Sequence, residues 1–387
     1  MKKKRLFIHL LLLSCTCFFT LSSYATEKID LISAETFTIK SSVLNEDRVI
    51  SVYLPGDYIT GANNYVVLYL LDGRAHFTHA IAATGFLSTR QLAPPMILVS
   101  IHNVDRNRDF SPVRTDNSPN NGGANKFLKF VADELIPHMN AQYRTSGFNI
   151  LMGHSFGGEF VSYALLNKPE VFDGYIAISP YMQYADNYLV EASKSMLRSR
   201  YDHTKYFYMT VGNEPEYFPV LAEFASNVKE KSNDAIAFRY VKMEDENHAS
   251  IPYLSLFNGL RFIFSDWQLP QEVFSKDLAE IDAHYKMLTS KYGFEIKTPE
   301  NVINLLGYRY LQNSDIETAI KVFRENVKRY PGSANVYDSL GEAYENNNQP
   351  KLAKENYQKA YDHGTLILDP NTAIYKRNLD RMKGRQP

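Results

Sequence analysis

The sequence predicts an α/β sandwich with a mostly parallel central sheet, followed by an all-helical repeat domain. Three observations carry that expectation. Between Glu35 and about Trp267, short runs rich in β-branched and aromatic residues alternate with longer amphipathic segments, the pattern of strands and crossover helices. Beyond Trp267-Gln268-Leu269-Pro270 the strand signals fade and helical periodicity is continuous. Within that second stretch a pattern recurs at a spacing of 34 residues: Leu306, Gly307, Tyr310, Ala319 and Phe323 are matched by Leu340, Gly341, Tyr344, Ala353 and Tyr357.

In chain order, Lys2, Lys3, Lys4 and Arg5 precede an apolar run from Leu6 to about Leu21 and then Ser23-Tyr24-Ala25, which reads as a secretory signal peptide cleaved after Ala25. An uncleaved anchor and a lipobox-like Leu12-Leu13-Ser14-Cys15 are the alternatives. A cleaved chain carries no stable membrane span and is directed to the periplasm or outside the cell. Thr36–Ile39 and Val49–Leu54 read as an antiparallel pair joined through Asn45-Glu46-Asp47. Tyr65–Leu71, Met96–Ile101, Phe148–Met152, Gly174–Ile178, Lys205–Val211 and Ile236–Val241 read as later strands. Helical segments are expected at 125–142, 157–166 and 218–231, and Asp109 to Ala124, rich in Pro, Asn and Gly, reads as loop. The expected domains are a signal peptide over 1–25, an α/β domain over 26–270, a helical linker over 271–300 and helical repeats over 301–387, closed by a capping helix at 370–383.

Composition narrows the function. The 387 residues leave room for two or three domains at roughly 100 to 200 residues each. Basic residues number 42 and acidic ones 43, so the chain lacks the basic excess of a nucleic-acid binder. Loss of residues 1–25 removes four cations and no acid and moves the net charge from −1 to −5. Both cysteines, Cys15 and Cys17, lie in that leader, so the remaining chain has neither a disulfide framework nor a thiol nucleophile. There is no His-Glu-x-x-His, Cys-x-x-Cys or phosphate loop, hence no expected metal or cofactor.

The chemistry is concentrated in Gly153-His154-Ser155-Phe156-Gly157, a strand running through G-x-S-x-G into a helix. Such an abrupt turn forces an unfavourable backbone on Ser155, and glycines at 153 and 157 let the neighbouring segments approach. The hydroxyl is then exposed at a helix N-terminus, where the Phe156 N–H can face a developing oxyanion. A serine nucleophile needs a base and an orienting acid, in the chain order Ser, acid, His. His248 follows the strand ending at Val241 and is the base candidate. Glu214, after the strand ending at Val211, is preferred over Glu216 as the acid, with Glu216 left open. A second oxyanion donor is expected from the Arg74 amide, after the strand that ends in Asp72-Gly73.

The Leu70-Leu71-Asp72-Gly73 strand end, the block Asn103-x-x-Arg106-x-Arg108-Asp109-x-x-Pro112, the Gly-His-Ser-Phe-Gly-Gly elbow and the late His248 together resemble the Putative esterase family of α/β-hydrolases. The similarity spans about residues 35–267 and is greatest to the siderophore-esterase branch. It implies a Ser155 acyl-enzyme, His248 as base, and the Phe156 and Arg74 amides as oxyanion donors; the acid is the least regular element of that family. The 34-residue pattern resembles the tetratricopeptide repeat, which implies a surface for a protein partner. Arg74, His76, Arg106 and Arg108 are expected in loops at the catalytic rim, where they would favour an anionic or catecholate small-molecule ester. In the competing arrangement Arg106 and Arg108 pair with Asp105 and Asp109 to brace their own loop. The expected activity is a serine carboxylesterase; the alternatives are an acyltransferase or thioesterase using the same residues, or a non-catalytic repeat-based scaffold.

Overall fold

A computed structural model describes residues 34–58 and 63–383. The expected signal peptide, with Cys15 and Cys17, lies outside the described residues. The α/β portion comprises β1 (Ala34–Ser41), β2 (Glu46–Tyr53), β3 (Tyr65–Leu70), α1 (Gly73–Thr89), β4 (Met96–Ile101) and α2 (Arg106–Phe110). Helix α3 (Ala124–Phe130) runs through a π-helical turn at Val131–Leu135 into α4 (Ile136–Gln142). Then come β5 (Thr145–His154), α5 (Phe156–Asn167), β6 (Gly174–Ile178), α6 (Tyr184–Met196), β7 (Lys205–Val211), α7 (Phe218–Ser232), β8 (Ile236–Lys242) and α8 (Ile251–Ile263). Seven helices follow: α9 (Gln271–Phe274), α10 (Leu278–Tyr292), α11 (Glu300–Gln312), α12 (Ile316–Arg329), α13 (Ala334–Asn346), α14 (Pro350–Leu366) and α15 (Thr372–Lys383).

The strands form one sheet in the order β1-β2-β4-β3-β5-β6-β7-β8. β1 and β2 are antiparallel, β2 meets β4 antiparallel, and every pair from β4 to β8 is parallel. Strands β3, β4, β6 and β7 are buried along their whole length, as a sheet covered on both faces requires. Alternation along β3 divides the core. Tyr65, Val67 and Tyr69 join one apolar layer with α3 to α7, while Val66, Leu68 and Leu70 join the other with α1 and α8.

Two local expectations are corrected. The hairpin turns at 42–45, one residue before Glu46, with Asn45 in the left-handed region at φ 55°. The segment after Asp72 is a helix rather than a loop, so Arg74 and His76 lie in the first turn of α1, and Arg106 and Arg108 lie in the short helix α2. Helix α1 escapes pattern reading because its buried face is built from small residues, Gly73, Ala80, Ala83 and Thr84, with only Ile81 and Leu87 strongly apolar.

Helices α10 and α11 continue the second apolar layer. Ile281, Tyr285, Leu288, Tyr292, Val302, Ile303 and Leu306 are buried together with Ile263 and Phe264 from the end of the α/β portion. Tyr292 is the centre of this seam. Its ring lies 5.8 Å from that of Phe148, 5.3 Å from Phe264 and 6.3 Å from Trp267, and its hydroxyl donates to the Ile263 carbonyl at 3.0 Å. Further along, one contact is used twice: a Cβ on Gly307 would fall 2.5 Å from the Phe323 ring, and one on Gly341 would fall 2.8 Å from the Tyr357 ring. An aromatic ring seated against a bare helix backbone is thus the physical content of the 34-residue spacing.

Because Tyr292 bridges both portions, Tyr292→Ala is expected to cost about 3–5 kcal/mol and to lower the melting of strands and helices together. Calorimetry checks this, and two separate transitions in the native protein would contradict it.

Candidate active site

Strands β5, β6, β7 and β8 are adjacent and parallel, so their C-terminal ends share one rim of the sheet. The turns leaving β5, β7 and β8 carry Ser155, Glu214 and His248. Topology alone brings these distant positions to one edge.

Ser155 joins β5 directly to α5 with φ 59° and ψ −118°, a conformation unfavourable for any side-chain-bearing residue. The crowding that imposes it is measurable. A Cβ on Gly153 would stand 2.3 Å from the Gly157 carbonyl oxygen. The Ser155 N–H donates to the Ile178 carbonyl at 2.9 Å, and the Ser155 carbonyl accepts from the amides of Glu159 (2.9 Å) and Tyr181 (3.1 Å). The elbow is therefore pinned to the end of β6 on one side and to the residues following it on the other.

Glu214 is buried, and both its oxygens are engaged. Oε2 accepts from Ser179 Oγ at 2.6 Å and from the Gly212 N–H at 3.1 Å, while Oε1 accepts from His248 Nδ1 at 2.5 Å. That contact leaves Nε2 as the free face of the imidazole. Glu216 is exposed and makes its recorded contact through its backbone, accepting from Gln183 Nε2 at 3.0 Å. The carboxylate facing His248 is thus that of Glu214. His248 lies close to the elbow: the ring of His154, the residue before Ser155, is 4.4 Å from its ring, centroid to centroid.

Phe156 and Arg74 occupy the first turns of α5 and α1, so their amides have no acceptor within their own helices. The first turn of α1 borders a cavity of about 540 Å³ lined by Asp72, Arg74, His76, Asn103, Arg106 and, from the end of β5, His154. Of the expected cations, Arg74 is exposed there, its Nε 3.4 Å from His102 Nδ1. His76 is buried, and burial, reinforced by His79, pushes it down to about 4. Burial likewise takes His154 to about 3, with His248 adding to the effect.

Arg106 and Arg108 part company. Arg106 forks onto Asp72 rather than Asp105, with Nε to Oδ1 at 2.6 Å and Nη2 to Oδ2 at 2.9 Å. Arg108 turns away to Glu46 and Asp109, where Arg48 completes a four-residue ion cluster behind the loop. The bracing arrangement thus holds for Arg108 through Asp109, while Asp105 instead caps α2 by accepting from the Arg108 amide at 3.0 Å. Sequence reasoning did not single out Ser179, or the pairing of Asp72 with Arg106. Ser179 leaves no motif, and only its left-handed backbone, φ 37°, marks it. Among the described residues no group of three or more His, Cys, Asp or Glu is placed to hold a metal ion.

The model of the Putative esterase family matches residues 41–255. The ferri-bacillibactin esterase of Bacillus subtilis is 27% identical over 236 residues, covering 51% of this chain and 78% of that protein. An IroE-like serine hydrolase from Shewanella oneidensis superposes with a TM-score of 0.65 at 25% identity, over 73% of this chain and 95% of that one. An uncharacterised protein from Capnocytophaga ochracea, 16% identical, matches the fold over 91% of this chain and 100% of that one with a TM-score of 0.62, so the likeness in fold extends into the helical region.

One turn after Ser155, Glu159 is fully buried, and neither carboxyl oxygen has a hydrogen-bond partner among the described residues. Burial raises its pKa well above the ordinary value of 4.5. The unfolded chain ionises Glu159 near its ordinary value while the folded chain keeps the proton, so this group lowers stability progressively as pH rises above about 4.5. Glu159→Gln is expected to remove that decline and to raise the midpoint of urea unfolding at neutral pH relative to pH 4. Parallel pH profiles for the two proteins would contradict it.

Proposed function

The chain belongs to the Putative esterase family and is a carboxylic ester hydrolase, and from that premise we propose that it works through a Ser155 acyl-enzyme with His248 as general base and Glu214 as the orienting acid. The observation that carries this reading is the Glu214–His248 hydrogen bond, made on the same rim that carries a serine in a left-handed turn. Glu214 fixes the tautomer with the proton on Nδ1, so Nε2 has a lone pair to accept the Ser155 proton as Oγ attacks the ester carbonyl. The carbonyl oxygen then carries negative charge, opposite the Phe156 and Arg74 amides. As the tetrahedral adduct collapses, the C–O bond to the alcohol breaks and His248 returns the proton to the departing oxygen. Water repeats the sequence on the acyl-enzyme: His248 takes its proton, the hydroxide oxygen adds to the carbonyl carbon, and Ser155 leaves with that proton as the acid is released.

The ester in this reading is anionic or catecholate. Arg74 supports it, because among the described residues lining the cavity it is the arginine with no carboxylate partner, and the resemblance to a ferri-bacillibactin esterase points the same way. The basic and apolar N-terminus supports export to the periplasm or beyond. The helical repeats supply a surface for a protein partner.

A fluorophosphonate probe is expected to label the native protein at Ser155. Ser155→Ala should abolish both labelling and ester turnover, and His248→Ala and Glu214→Ala should each lower kcat by about 10³-fold or more. A folded native protein that resists the probe would defeat the mechanism. For the substrate class, Arg74→Ala should raise KM for a carboxylate-bearing ester several-fold while sparing its neutral analogue; equal changes on both would refute the anionic reading.

A further inference from the structure

Arg106 bridges the two turns expected to make the oxyanion hole. Its guanidinium is bound edge-on to the Asp72 carboxylate, and Asp72 is the residue from which α1 starts, two positions before the Arg74 amide. The same Nη2 also donates to the His154 carbonyl at 3.1 Å, two positions before the Phe156 amide. A third contact reinforces the arrangement, because the guanidinium lies over the rings of Phe110 and Phe156, 5.6 and 5.9 Å from their centroids.

Asp72 is itself in a conformation that needs support. Its φ is 51° and ψ 42°, left-handed, and its side chain does not cap the helix it begins. The carboxylate is turned instead toward β4 and the elbow. Asn103 Nδ2 donates to Oδ1 at 2.6 Å, and Oδ2 lies close enough that a Cβ on Gly157 would approach it to 3.3 Å. A carboxylate in that position works against the negative charge that ester cleavage develops nearby unless a cation neutralises it.

We propose that Arg106 is a positioning residue for the oxyanion hole: by forking onto Asp72 and reaching the His154 carbonyl, it holds the turns that carry the Arg74 and Phe156 amides at one fixed separation. The inference rests on the reading of Ser155 as nucleophile. It assigns Arg106 no contact with substrate, and the cation facing substrate is then Arg74. Hydrogen-bond donors aimed at a transition-state oxygen act only over a narrow range of distance. A bidentate guanidinium suits the task, since its fork fixes direction as well as distance.

Asp72→Asn is the discriminating variant. It is isosteric and removes a negative charge near the oxyanion, so a purely electrostatic role for the pair predicts equal or faster turnover, whereas positioning predicts a loss. The measurements are kcat and KM on a neutral p-nitrophenyl ester, with turnover divided by the number of sites titrated to completion by a fluorophosphonate, and the rate of phosphonylation itself. Asp72→Asn and Arg106→Gln are each expected to lower kcat per site by about 10²-fold, the scale of one lost oxyanion donor, with KM within about twofold. Phosphonylation should slow in step. Arg106→Lys should recover part of the loss, and the double variant should be no worse than Arg106→Gln alone. Unchanged kcat per site in Asp72→Asn, or a KM increase confined to carboxylate-bearing esters in Arg106→Lys, would overturn the proposal. Should Arg106→Gln fail to fold, Asp72→Asn and Arg106→Lys decide alone. Turnover that survives Ser155→Ala in the same assays would instead strike at the nucleophile and leave these outcomes separable.

Discussion

Ser155 occupies a backbone conformation that costs of order 1–3 kcal/mol for a residue with a side chain, and much of the α/β portion is arranged so that no cheaper conformation is available. Strand β5 must stop and α5 must start within one residue, because the Gly153 Cα and the Gly157 carbonyl are already in contact range. The Ser155 amide is committed to Ile178 and its carbonyl to Glu159 and Tyr181. Relaxing φ would break these bonds and lift α5 from β6, where a Cβ on Gly158 would come within 2.9 Å of the Ile178 carbonyl oxygen. The strain thus persists because packing on both faces of the turn over-determines it, and its consequence is a hydroxyl presented at the rim.

How far the sequence could be read follows from which forces are local. Strands β4, β6 and β7 have the expected bounds because continuous apolar runs have no other use in a covered parallel sheet. Ser155, Glu214 and His248 could be nominated because each follows a strand, and parallel strands carry the residues after them to one edge. Sequence favoured Glu214 over Glu216 and left the second open. That Glu214 is the carboxylate facing His248 is visible only in the structure, because Ser179 and Gly212, which hold Oε2, are arranged by the turns leaving β6 and β7, and nothing in Glu214-Pro215-Glu216 announces them. The Asp72–Arg106 pair was illegible for a related reason. Its members are 34 residues apart, and they meet because β4 lies beside β3, so that turns leaving adjacent strands face one another. From sequence, Arg106 had nearer acids in Asp105 and Asp109. Helix capping and the ion cluster at Arg48 had already claimed both.

The histidines around the rim illustrate how burial sorts identical side chains. His79, His76, His154 and His248 stand in a row with successive ring centroids 5.1, 5.9 and 4.4 Å apart. Were all of them protonated, their mutual repulsion would oppose any further positive charge. Burial instead depresses His76 to about 4 and His154 to about 3, and lowers His79, so at neutral pH these three are uncharged. His248 differs from them in that its side chain is 40% exposed and a carboxylate faces Nδ1. Positive charge near the cavity is then a matter of arginines, and Asp72 neutralises Arg106. A chain whose charges nearly balance can in this way present a local cation at Arg74 without a broadly basic surface.

The helical region enters this argument through α8. That helix begins three residues after His248, and its buried face, Ile251, Leu256, Leu260 and Ile263, lies in the apolar layer that α10 and α11 extend. At its far end the Ile263 carbonyl accepts from the Tyr292 hydroxyl, and the rings of Phe264, Phe148 and Tyr292 form a triangle with centroids 5.3 to 5.8 Å apart. The loop carrying His248 is therefore held at one end by β8, at the edge of the sheet, and at the other by a helix whose outer support comes from residues beyond 270. Strand β8 has a neighbour on one side only, so the packing of that helix is the loop's second anchor. On this account the helix that follows the His248 loop and the helices α10 and α11 beyond it share one apolar seam.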